Sequence, residues 1–128
     1  MKIGIHREAN TLIFEFRSGP TGLATFVIAN REEQVMWEVL PATMEKCAVA
    51  GGVFTNVQVP FPAEELSSWT ANVNTGERIY PQVAKITYGE VPDGYKEISP
   101  ALPLKPGEVY RVTVMGQGFD SAGEFFSV

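Results

Sequence analysis

Cysteine is nearly absent from this chain. Cys47 stands alone, so no disulfide can form within the molecule, and neither a CxxC pair nor a Cys/His cluster with zinc spacing exists. Histidine is just as scarce: His6 is the only one, and its place near the N-terminus suits a surface or edge-strand position better than general-base work. No apolar run approaches the roughly 18 residues of a membrane-spanning helix, which excludes helical membrane insertion. The motifs GxSxG and HExxH and a phosphate-cradling glycine loop are all missing. Positive charge is thin. Ten Lys and Arg face fifteen Asp and Glu, for a net charge of -5, and the basic residues do not cluster. Nucleic acid is excluded as the main partner, because phosphate binding needs grouped cations.

Turn formers and apolar residues are plentiful. Twelve glycines and nine prolines fall mostly between apolar runs, a pattern of many short strands joined by turns. With 128 residues, 45% of them hydrophobic, the chain can bury a proper core, and it carries no repeat and no linker. One domain over residues 1–128 is expected.

The most informative stretch is Leu104-Lys105-Pro106-Gly107-Glu108-Val109-Tyr110-Arg111-Val112-Thr113-Val114. Pro106-Gly107 is a turn signal, and from Tyr110 the chain alternates, placing Tyr110, Val112 and Val114 on one face of a strand. A tyrosine at the start of such a strand can bury its ring while its hydroxyl bonds back to the upstream backbone, as a tyrosine corner does. The pattern resembles the penultimate strand of fibronectin type III and related immunoglobulin-like domains. That resemblance implies an all-β, immunoglobulin-like antiparallel β-sandwich with Greek-key connections, and no particular activity.

Seven to ten strands are expected, with Phe14, Phe16, Phe26, Ile28, Trp37, Val57, Ile86, Tyr110, Val112, Val114 and Phe126 in the core. Residues 2 to 6 and 11 to 17 read as strands, the second with Leu12, Phe14 and Phe16 facing in, and Leu23 to Ala29 reads as a third. Two readings compete after Asn30. Asn30 and Glu33 have the spacing of a helix capping box, whereas Val35, Trp37 and Val39 alternate as a strand after a hairpin loop. The hairpin is preferred. Thr43 to Ala50 has mild helical character, Val53 to Val59 reads as a strand, and Pro60 to Ser68 suggests a single helical turn. Trp69 to Val73 and Val83 to Tyr88 are further strands. Gly89 to Pro103 reads as a connector, and Gly116 to Gly123 as turns of a final hairpin onto Glu124 to Val128.

No pair of groups can be named for acid-base or nucleophilic work, so a non-enzyme without cofactor is expected. Glu90, Asp93 and Glu97 in one loop, and Asp120 and Glu124 in another, match no calcium-binding spacing and suit turns. Cys47, beside an apolar run, reads as a buried inert thiol. Recognition remains. Phe54, Phe61, Trp69 and Tyr80 lie in the least regular third of the chain, where aromatic anchors would serve a protein partner or self-association, or complete the core under long loops. A glycan- or small-ligand-binding protein, or an enzyme with paired loop carboxylates, is the alternative.

The segment Ile86-Thr87-Tyr88-Gly89-Glu90-Val91-Pro92-Asp93-Gly94-Tyr95, continuing through Pro100-Ala101 and Pro103-Leu104 to the Tyr110 corner, also resembles small uncharacterised bacterial proteins, some of them described as lipoproteins. This implies a bacterial source and an immunoglobulin-like sandwich. The lipidated cysteine and leader of that pattern are missing here. The chain as given reads as cytoplasmic, or as an envelope protein if a leader once preceded Met1.

Overall fold

The computed structural model describes residues 2–17, 19–50, 53–60, 73–116 and 119–128, with side chains omitted for 44–60, 73–79 and 119–120. None of the described residues is helical. Among the described residues twelve strands follow one another: β1 (Ile3–Glu8), β2 (Thr11–Phe16), β3 (Thr21–Asn30), β4 (Val35–Pro41), β5 (Thr43–Ala50), β6 (Val53–Pro60), β7 (Val73–Ile79), β8 (Gln82–Val83), β9 (Lys85–Thr87), β10 (Tyr95–Ser99), β11 (Val109–Gly116) and β12 (Phe119–Ser127). They form one sheet in the order β1-β2-β9 and a second in the order β10-β4-β3-β11-β12, with β8 added to β3. A third, β6-β5-β7, pairs only within itself. Every pairing is antiparallel. The first two sheets pack face to face as an all-β sandwich.

Alternation decides what lies between them. Leu12, Phe14 and Phe16 of β2 are buried, as are Phe26 and Ile28 of β3, and Tyr110, Val112 and Val114 of β11. Aromatic rings run through this layer edge to face. Phe14 meets Phe26 at 5.3 Å and Phe126 at 5.4 Å between centroids, Phe26 meets Trp37 at 5.7 Å, and Trp37 meets Tyr88 at 5.3 Å. Such T-shaped contacts add roughly 0.5–1.5 kcal/mol each beyond the area they bury. Phe14 comes from one sheet and Phe26 and Phe126 from the other, so these contacts clamp the two layers.

The β3–β4 connection is a hairpin. Asn30 and Gln34 flank the loop, the Glu33 N–H donates to the Asn30 carbonyl at 3.0 Å, and Glu33 takes a φ of 63°. This is the three-residue loop that ends on a left-handed residue. The Asn30 side chain holds it by accepting from the N–H groups of Glu32 at 3.0 Å and Gln34 at 2.9 Å. The Asn30–Glu33 spacing therefore serves a turn. Just beyond it, Ile28 pairs with Trp37 while Ala29 pairs with Val35, so Met36 is an extra residue on β4. This bulge buries both Met36 and Trp37, and the Met36 carbonyl accepts from the Leu102 N–H at 2.9 Å.

Three tyrosines tie irregular segments to the sheets through their hydroxyls. Tyr110, 3% exposed, accepts from the Lys105 N–H at 2.8 Å, and this is the tyrosine corner. The Tyr95 hydroxyl accepts from the Leu23 N–H at 2.9 Å and donates to the Pro81 carbonyl at 2.5 Å. Tyr88 donates to the Leu102 carbonyl at 2.6 Å. Burial pushes both Tyr88 and Tyr95 up to about 12 from the ordinary 10.

Four expectations need correction. Thr43–Ala50 is strand β5, which continues β4 after Ala42 alone, because eight successive residues pair with β6 and that pairing overrides weak helical preference. Val83 to Tyr88 is broken at Ala84: β8 joins β3, whereas β9 joins β2, so the chain changes sheets there. The connector from Gly89 contains β10, an edge strand on β4 with a bulge after Glu97; only Tyr95 in it is buried, so it shows no alternation. The last hairpin turns earlier than expected, with Gly116 opposite Phe119, and Asp120 to Gly123 belong to β12. These pieces also raise the strand number above ten. The helical turn expected through Ser68, residues 69 to 72 of the Trp69 strand and the Val57 side chain lie outside the described residues.

Gly94 closes the base of the third sheet. Its φ is 84°, an added Cβ would stand 2.8 Å from Pro81, and its carbonyl accepts from the Ala42 N–H at 2.8 Å. Gly94→Ala is expected to destabilise the protein by about 1–3 kcal/mol in urea unfolding, from the left-handed backbone and the clash together. Glu33→Gly should act in the opposite direction and stabilise by about 0.5 kcal/mol, since left-handed strain exceeds the added chain entropy. Tyr110→Phe leaves the Lys105 N–H without its acceptor and should cost about 1–2 kcal/mol. For Tyr88 and Tyr95 the raised folded-state values favour the neutral phenol. Their contribution is complete below pH 10 and is lost as pH rises through about 12. An alkaline titration should show phenolate absorbance and loss of strand circular dichroism together in that window, and Tyr95→Phe should lower stability at neutral pH while making it fall less steeply between pH 10 and about 12.

Candidate binding surface

The sheet β10-β4-β3-β11-β12 buries Tyr110, Val112 and Val114 of β11 on one face. Because Tyr110, Val112 and Val114 point inward, Arg111, Thr113 and Met115 must point out. Register extends this across four strands: Phe125 lies opposite Arg111, Arg111 opposite Ala29, and Ala29 opposite Val35. The next row is Gly123, Thr113, Val27 and Glu38. Phe125 is 72% exposed, Met115 47% and Val35 37%. A phenylalanine this exposed in the middle of a regular strand gains nothing from burial in the monomer. β12 also ends the sheet order, so the backbone groups along its outer side pair with no described strand.

Beside Phe125 lies a recess of about 290 Å³ lined by Asn30, Arg31, Val109, Tyr110, Arg111 and Phe125. Neither arginine has an ion pair among the described residues. Asn30 and Tyr110, which pair across β3 and β11, also line a second recess of about 330 Å³. That one is lined by Glu32, Gln34, Met36, Lys105 and Glu108 as well. Arg31 and Arg111 thus line the recess at Phe125, whereas Glu32 and Glu108 line the second one together with Lys105.

At the β1–β2 turn, Arg7, Asn10, Leu12, Tyr88, Glu90 and Leu104 line a further cavity of about 370 Å³. It holds one cation and one carboxylate, both exposed, over the buried Leu12. His6, on edge strand β1, faces Glu8 at 3.7 Å with 42% of its side chain exposed. Glu97 accepts from the Trp37 indole N–H at 2.7 Å, so this carboxylate serves a fully buried ring.

Of the aromatics singled out in the sequence, Tyr80 is described and is 8% exposed. Phe54 sits on β6 opposite Val49, with its side chain outside the described residues, as are Phe61 and Trp69. Cys47 pairs with Asn56, and its thiol is likewise outside them. Phe125, Arg31 and Arg111 escaped the sequence reading. The signal was present: Phe125 and Phe126 are adjacent in a strand, so if Phe126 faces the core its neighbour must face water. Comparison of the chain with protein-family models, with curated proteins and with solved structures finds no match.

Proposed function

We propose that this protein is a non-catalytic binding module of the immunoglobulin and fibronectin type III-like kind, and that it meets a protein partner with the open face and free edge at β12. The observation that carries the reading is Phe125, 72% exposed on a regular strand and flanked by two arginines. Aromatic residues and arginine are the side chains that interface centres favour. The long outer side of β12 adds backbone donors and acceptors to which an extended segment can pair.

The sandwich assignment within that class rests on order and on the corner. The strand order β1-β2-β9 against β12-β11-β3-β4 supports a fibronectin type III-like reading, with β10 added beside β4 and β5 to β7 inserted before β8. The tyrosine corner falls on β11, the penultimate strand.

Panning a random peptide library displayed on phage against the immobilised protein tests the site. Selected clones should lose binding to Phe125→Ser. That variant should unfold within about 0.5 kcal/mol of the parent, because the ring is exposed. Clones that bind parent and variant alike would place recognition elsewhere.

A further inference from the structure

Resting on the β12 face as the binding site, we infer that its partner is an acidic peptide segment, one that sets an apolar side chain beside Phe125 and a carboxylate between Arg31 and Arg111. Three observations converge on this chemistry. The recess beside Phe125 has walls of almost wholly apolar atoms, so the parts of the arginines that line it are their aliphatic stems. Their guanidinium groups have no carboxylate partner among the described residues. Glu32 and Glu108 line the second recess and not this one.

Charge is what selects the occupant. The whole chain carries a net charge of -5, so a cationic segment would be drawn to many places on it. At this recess the local balance is reversed. A guanidinium offers a planar fork of donors that fits a carboxylate, and two of them beside an apolar wall define a ligand with an anionic head and an apolar body. An aspartate or glutamate one or two positions from a leucine or phenylalanine has that form. A neutral apolar segment would leave both guanidinium groups unanswered, and a basic one would oppose them.

Three synthetic peptides separate these cases by fluorescence polarisation and by amide chemical shifts on the labelled protein. They are acetyl-Glu-Phe-Asp-Leu-Glu-amide, its Gln/Asn counterpart and its all-Lys counterpart, each keeping Phe and Leu. The acidic peptide should bind about tenfold or more tightly than the amide form, weaken at high salt, and shift Arg31, Val109, Arg111 and Phe125. Arg111→Gln should remove that preference for the acidic form, while Arg111→Lys should retain part of it. Equal binding of the acidic and amide peptides, or stronger binding of the lysine peptide, overturns the inference. So does a dimeric solution mass that Phe125→Ser turns monomeric, which would make the face a contact between copies. Phage clones that need Phe125 but are neutral or basic would sink the acidic partner and leave the binding face standing. If no clone needs Phe125 and no peptide shifts these residues, both fail.

Discussion

The two-layer structure depends on Phe14. Its ring, fully buried, meets Phe26 and Phe126 edge to face and so spans from β2 of the smaller sheet to β3 and β12 of the larger one. Trp37 and Tyr88 extend the row at one end and Tyr110 at the other, where it lies 5.8 Å from Phe126. Sheets lacking disulfides must be held by packing, and interlocked rings resist sliding because each sits in the angle between its neighbours.

Around that row the irregular segments are secured by another device. A phenol has an apolar body and a polar tip, so it can complete a core while satisfying a backbone group that has left the ladder. Tyr110 serves the segment at Lys105, Tyr88 the one at Leu102, and Tyr95 both Leu23 and Pro81. The Met36 bulge contributes in the same region, since its freed carbonyl receives Leu102. The long stretch before β11 is thus held at several points without regular structure of its own.

Strands that have one wet face were legible in the sequence, because alternation at Leu12-Phe14-Phe16 and Tyr110-Val112-Val114 directly reports burial. The corner was legible too, since Pro106-Gly107 and Tyr110 stand at the spacing it needs. Strand β10 was not, because an edge strand with one buried residue has no period to detect. Strand β5 was hidden by composition: its Met44, Glu45, Lys46 and Ala48 favour helix in isolation, and only pairing with β6 and β7 decides otherwise. Among the surface residues, Phe125 followed from Phe126 by parity. Arg31 and Arg111 did not, for they lie far apart in the chain and line one recess only because Asn30 pairs with Tyr110.

The root of the third sheet has a further consequence. The chain leaves the sandwich at Ala42 and has returned by Pro81, and Gly94 touches both places. Strands β5, β6 and β7 therefore lie between two points of the chain that meet at a single place of the parent domain. Loop-closure entropy changes slowly with length, so the stretch between those points is interchangeable in principle: a shorter or different insert could hang from the same place without altering the strand order beneath it. The sandwich and its inserted sheet can thus vary as two separate parts of one chain.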